Sequence, residues 1–220
     1  MCNGLGPHRF TIGVRYTTCM IYEEKKFTLP QLDGISTKSV EEHLGLYAGY
    51  VKNFNAITAL AGDLMKDSEK NAHAISELMR RRSFEFDGMR LHELYFSQFE
   101  GGAIPINAEN TVIQAITKQY SNPDYALMEI KQVAMMRGPG WSILYFDPEA
   151  RQFLVGFSEQ QHQGHFINLP VILALDVWEH AYLLDYGAQG KAKYIEAFFK
   201  NLNWSVIEGR FTTLSGWKPN

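Results

Sequence analysis

The run LALDVWEHAYLLDYG, Leu173–Gly187, places three groups able to ligate, donate or accept within five residues: Asp176, Glu179 and His180. It starts as a buried apolar strand would, and an aspartate at the end of such a strand is costly unless it is paired or holds a metal. Asp176 and His180 stand four apart. At that spacing a carboxylate oxygen and an imidazole nitrogen converge on one point, either on one helical face or where a strand turns into a helix. A metal ion is the natural occupant of that point.

The chain has seven histidines, and His43, His92 and His180 sit amid apolar and aromatic residues on predicted helices. One such histidine reads as a core residue with a satisfied ring. Three of them with a buried carboxylate read as a ligand set. His43, Tyr47 and Tyr50 follow an i, i+4, i+7 spacing, so one helical face carries an imidazole and two phenols, which pattern alone also allows as core aromatics with a wet tip. A site of three histidines and one aspartate, with mixed nitrogen and oxygen donors, suits Mn or Fe and leaves room for water or a small ligand. No HExxH arrangement supplies the glutamate a zinc hydrolase would need.

These residues need elements to bring them together. Helical periodicity runs from Ser36 to about Met65, with a break allowed near Gly62, and again over Asn71–Arg82 and Gly88–Phe99 on either side of a Phe-rich joint. A further helical stretch, Thr111–Met136, is interrupted at SNPDYA, where Pro123 sets a new start. GPGWSILYFDPEARQFLVGFSE reads as a β-hairpin turning at Asp147 and Pro148, and Pro170 opens a third strand, PVILALD. Helix returns in EHAYLLDYG and in KAKYIEAFFKNLNWSVIEGRF. The expected fold is α+β: an N-terminal long antiparallel helical hairpin (23–108), then a C-terminal mixed lobe (109–220) with a small three-stranded antiparallel sheet flanked by helices.

With 220 residues, 45% of them hydrophobic, the chain can bury a sizeable core. A net charge of -3 with 20% charged residues argues against nucleic acid as a partner, and no apolar run approaches the ~20 residues of a membrane helix. Cys2 and Cys19 read as free thiols of a reducing compartment, which suggests the cytoplasm. Residues 1–22 lack Asp and Glu and show no amphipathic period; they read as a disordered extension ahead of a start at Met20, with a transit-like segment or a short structured arm as the other readings.

DVWEHAYLLDYGAQGKAKYIEAFFKNLNW (Asp176–Trp204) closely resembles the C-terminal signature of the iron/manganese superoxide dismutases, and GPGWSILYFD resembles their Gly-x-Gly-Trp strand. SVEEHLGLYAGYVKNFN and FDGMRLHELYF extend the likeness to most of the chain from Lys26 onward. The resemblance implies one Mn or Fe ion per chain on His43, His92, Asp176 and His180, the residues already selected. It also implies a homodimer, with pairing into tetramers left open, in which Glu179 looks toward the partner's metal-binding histidine and Tyr182 contacts the partner's site. Trp141 and Trp178 would wall the cavity, a role that overlaps with ordinary packing.

Two features depart from the family pattern. Members often carry His-x-x-x-His-His-x-x-Tyr on the first helix, with a gateway tyrosine eight residues after the ligand; here Tyr50 follows His43 by seven and Tyr47 stands where the second histidine would be. Tyr50 is preferred to Tyr47 as the gateway, and Glu42 is the alternative ligand position if the tyrosine register is kept. Iron members often place a glutamine four residues before the second ligand, whereas this chain has Gly88. The hydrogen-bond donor beyond the ligands must then come from EQQHQGH, Glu159–His165, where His162, Gln161 and Gln160 are candidates and His162 is preferred by its spacing to Asp176. Gly88 with a C-terminal donor resembles the manganese or metal-flexible arrangement.

The implied activity is dismutation of superoxide to O2 and H2O2 by alternating reduction and oxidation of the ion. The alternatives are an inactive, metal-binding dimeric relative and a non-haem iron oxygenase, which would need a pocket for an organic substrate.

Overall fold

The structure, a computed structural model, describes residues 21–214. Of the expected N-terminal extension only Ile21 and Tyr22 fall inside that range; Cys2 and Cys19 lie outside it. Tyr22 is clasped by Asn55, whose carboxamide accepts from the Tyr22 N–H at 2.9 Å and donates to its carbonyl at 2.8 Å.

The Ser36 hydroxyl accepts the Ser39 N–H at 3.1 Å and starts α1, Thr37–Leu64, which runs through Gly62 without a break. A short 3-10 turn, Met65–Asp67, reverses the chain into α2, Ala72–Ser97. The two helices pack against each other along their length and form the expected hairpin. α2 is one helix where the sequence suggested two. The Phe-rich joint SFEFD has no Gly or Pro, aromatics lower helix propensity only slightly, and Arg81 donates to Glu85 at 2.7 Å, an i, i+4 pair that carries the helix into the supposed gap.

Two helices, α3 (Thr111–Tyr120) and α4 (Pro123–Ala134), lead into the sheet. Asn122 caps α4 by accepting from the Asp124 N–H, with Pro123 in the first turn, as the SNPDYA interruption suggested. β1 (Trp141–Asp147), β2 (Gln152–Ser158) and β3 (Val171–Asp176) form an antiparallel sheet in the order β2-β1-β3. The central strand β1 is buried along almost its whole length, so the alternation read in this stretch separates two covered faces and not a core face from a solvent face. Its register pairs Trp141 with both Ser158 and Asp176. The start of β1 therefore sits beside the end of β3.

The C-terminal helices are α5 (Glu179–Tyr186), α6 (Lys191–Lys200) and α7 (Trp204–Leu214). The last expected helical run is split because Asn203 turns its side chain on the backbone, accepting the Ser205 N–H at 3.0 Å, while its own N–H donates to the Gln98 carbonyl. A single apolar core links Tyr47, Met89 and Phe96 of the hairpin to Ile143, Leu173 and Phe198 of the lobe. Each such side chain, fully buried, stabilises the fold by about 1.5–3 kcal/mol. The site lies where the two parts meet in this core. Among the described residues no helix is long and apolar enough to cross a membrane.

Candidate metal centre

Each ligand is set by the element that carries it. Asp176 ends β3 as the strand gives way to α5, and its Oδ1 accepts the Trp178 N–H at 2.8 Å. That turn commits one carboxylate oxygen to the backbone and leaves Oδ2 facing inward. Oδ2 lies 3.1 Å from His43 Nε2 on α1, 3.1 Å from His180 Nε2 in the first turn of α5, and 3.7 Å from His92 Nε2 on α2. The four donor atoms of His43, His92, Asp176 and His180 lie within 4.8 Å of one another.

The His92 tautomer follows from its neighbour. Nδ1 is 2.6 Å from the Gly88 carbonyl, which can only accept, so Nδ1 carries the proton and the Nε2 lone pair points at the cluster. That Nε2 is buried without a hydrogen-bond partner among the described residues. An orphaned lone pair beside a carboxylate oxygen and two more imidazole nitrogens fits a cation, and three neutral nitrogens with one oxygen fit iron or manganese.

Electrostatics differ among the four. Burial holds the His43 imidazole below its ordinary value against the pull of Asp176. Burial, then the neighbouring His43, lowers His92 to about 3. Burial opposes ionisation of Asp176, yet the His180 and His43 imidazoles bring its carboxyl below the usual range. His180 goes the other way: burial depresses it, but the Asp176 carboxylate raises it above the ordinary value.

Aromatic rings wall the cluster. The Tyr50 ring centroid is 4.9 Å from that of His92, Trp141 meets His92 edge-on at 5.2 Å, and Trp178 stacks on His180 at 6.0 Å. Tyr95 and Phe96, which the sequence reading passed over, pack on His43 at 4.9 and 5.0 Å; the signal for them was their position three and four residues beyond His92. Gly88 leaves the space that Tyr50 fills, since a Cβ there would come within 2.6 Å of the tyrosine ring.

Gln161 is fully buried, accepts from Trp141 Nε1 at 2.8 Å and donates through Nε2 to the Tyr50 hydroxyl at 3.0 Å. His162, preferred by spacing, sits edge-on to Phe84 at 5.6 Å, and its Nδ1 is buried without a hydrogen-bond partner among the described residues. The structure thus places the Gln161 carboxamide against Tyr50, while His162 packs on Phe84. The loop curls here: the Ser158 hydroxyl is 2.6 Å from the carbonyls of both Gln160 and Gln163, and the Gln161 side chain turns inward. Burial, then the Asp176 carboxylate, pushes the Tyr50 phenol well above its ordinary value.

Tyr47 faces away from the cluster. It donates to Glu93 at 3.3 Å and accepts the Lys25 N–H at 2.8 Å, tying the N-terminal arm to α2. Glu42 is exposed. Glu179 is exposed beside the half-buried His180, while Tyr182 is buried and packs on Tyr194 of its own chain, ring centroids 5.9 Å apart.

Comparison with known proteins agrees with this geometry. Residues 108–210 match the family model of the iron/manganese superoxide dismutases, C-terminal domain. A superoxide dismutase [Fe] of Aquifex pyrophilus is 33% identical over 195 residues, covering 86% of this chain and 90% of that protein. Those of Saccharolobus solfataricus and Cupriavidus metallidurans are each 30% identical, covering 84% and 87% of this chain and 92% and 97% of their own. This chain belongs to the iron/manganese superoxide dismutase family.

Proposed function

We propose that the protein dismutes superoxide at one iron or manganese ion held by His43, His92, Asp176 and His180. The observation that carries this reading is the convergence of four donor atoms within 4.8 Å, one of them the orphaned His92 Nε2. When bound, the ion supplies a one-electron couple between its trivalent and divalent states, so that two superoxide anions and two protons become O2 and H2O2. The relatives named above are iron enzymes, which favours iron; Gly88 with a donor from the C-terminal lobe is the feature that keeps manganese in the test.

The protein's own residues do the rest. Three neutral imidazoles and one carboxylate leave a trivalent or divalent ion with residual positive charge, which draws a small anion toward the cluster. Trp141, Trp178 and Tyr50 restrict the space to small molecules. Tyr50 and Gln161 act as the proton-handling pair: Gln161 donates to the Tyr50 oxygen at 3.0 Å, which leaves the phenolic hydrogen free to serve the cluster side. Because its phenol ionises only at high pH, Tyr50 keeps that hydrogen through the neutral range.

A homodimer formed through the α5 face completes the proposal. Exposed Leu183 and Leu184 lie on the helix that carries Glu179 and His180, and the buried Trp178 Nε1 has no hydrogen-bond partner among the described residues. Sedimentation velocity distinguishes monomer, dimer and tetramer. We read the chain as a hairpin unit, 23–108, and an α/β unit, 109–220, and assign it to the cytoplasm on its expected free thiols, which cell fractionation checks.

The direct test is elemental analysis of purified protein, with superoxide turnover measured after separate reconstitution with iron and with manganese. Turnover with either metal at about one ion per chain is the expected result. A fully metallated protein without turnover would instead identify a relative that has kept the site and lost the reaction.

A further inference from the structure

The loop that carries Gln161 is held from beneath by one imidazole. His165 Nε2 is 2.8 Å from the Gln161 carbonyl oxygen, and its Nδ1 is 2.8 Å from the Tyr145 hydroxyl. The carbonyl can only accept, so Nε2 bears the proton and Nδ1 accepts from Tyr145. Tyr145 lies on the buried central strand β1, 1% exposed, so the far end of this relay is anchored in the sheet. Burial, then the Asp87 carboxylate, keeps the Tyr145 phenol protonated far above neutral pH. Asp87, on α2, is a charged group whose carboxyl is raised by burial, while the nearby His165 and His162 pull it down.

The loop has little freedom to take up another shape. Gly164 sits at φ +94°, and a Cβ there would meet the Phe157 carbonyl oxygen at 2.7 Å. Gln161 is therefore held twice, by its carboxamide between Trp141 and Tyr50, and by its backbone carbonyl on His165. His165 is not among the four converging donors.

We propose that His165, held by Tyr145, is a positioning residue that sets the Gln161 carboxamide against Tyr50 and so tunes the reaction without touching the ligands. This rests on the reading of Gln161 as the donor beyond the ligands. A residue one step further out than such a donor should matter less than the donor itself, whose removal costs roughly 10–100-fold in related metal sites.

The test uses the metal-loaded enzyme and the variants Gln161→Ala, His165→Leu, His165→Gln, Tyr145→Phe and the double variant Gln161→Ala/His165→Leu. His165→Leu should keep its metal, lose about threefold to tenfold in turnover, and show in a crystal structure a Gln161–Tyr50 hydrogen bond lengthened from 3.0 Å. His165→Gln, which can still donate to the carbonyl and accept from Tyr145, should recover most of that loss. The double variant should be no slower than Gln161→Ala alone, because a residue acting through Gln161 has nothing left to position.

Unchanged turnover in His165→Leu, an unmoved Gln161, or an additive loss in the double variant would overturn the proposal. Should His165→Leu fail to fold, Tyr145→Phe removes only one hydroxyl and carries the test: a smaller loss in the same direction supports the proposal and wild-type turnover overturns it. If Gln161→Ala itself turns over like the wild type, the donor reading fails first and takes the positioning role with it.

Discussion

The hairpin and the C-terminal lobe each supply two ligands, yet they hold them by different physics. His43 and His92 come from α1 and α2, are 3% and 0% exposed, and are kept neutral by burial among aromatic rings. Asp176 and His180 come from one short segment and are coupled by charge, so that the carboxyl is pushed down and the imidazole up. The hairpin is a stiff neutral wall. The lobe is a charged latch, built on a strand-to-helix turn that costs the chain only four residues of sequence separation. A metal site assembled this way takes its geometry from long-range packing on one side and its negative charge from local chain structure on the other.

The strongest way to break that contrast is to remove the charge. Asp176→Ala should abolish metal retention on elemental analysis, since three imidazoles alone lack the anionic donor; a variant that still holds its ion would show that the wall suffices without the latch. His180→Ala should likewise lose both metal and turnover. Next in size is Gln161→Ala, expected to keep its ion and lose roughly 10–100-fold in turnover, with Tyr50→Phe keeping the metal and altering the pH dependence. A Tyr50→Phe enzyme with wild-type kinetics at every pH would remove the tyrosine from the proton path.

Gly88→Ala tests the packing of the wall. The added methyl would fall 2.6 Å from the Tyr50 ring, so chemical denaturation should reveal a loss of about 1–3 kcal/mol, and Tyr50 should shift. Wild-type stability would mean that the hairpin yields there. The smallest expected effect is the pH response of the metal-free protein. His92 is lowered to about 3 in the folded chain, and an unfolded histidine titrates near ~6.5. The unfolded state therefore binds more protons below that pH, and His92 and His43 contribute stability that is lost as pH falls from about 6.5. Asp176 adds a loss in the same direction below about 3.9, its unfolded value. His180, raised when folded, contributes below ~6.5 a stability that vanishes as pH rises through its folded pKa. Two hairpin histidines outweigh one in the lobe, so the metal-free Tm should drop on acidification from pH 6.5 to 4; a Tm that rises instead would give the latch the larger share.

Much of this arrangement is legible in the sequence. The Asp176–His180 spacing, the polar interruption of an apolar run and the two histidines amid aromatics pointed to one ligand set, and the period-2 and period-3.6 patterns outlined the elements that hold it. The continuity of α2 was hidden because SFEFD is apolar and polar in alternation, which masks the helical period without supplying a breaker. The hydrogen bond from Gln161 to Tyr50 was hidden because a loop has no period: which side chain turns inward depends on Ser158, Gly164 and His165 closing the curl.

The sequence by itself determined the ligand types, their local spacing, the turn at Asp176 and the order of helices and strands, because these depend on interactions within a few residues. Tertiary structure alone decided the rest. It brought α1, α2 and β3 to one point, let Tyr50 into the space left by Gly88, and set Gln161 between Trp141 and Tyr50. Those outcomes rest on contacts between residues tens to more than a hundred positions apart, and what selects them is the packing of the whole core.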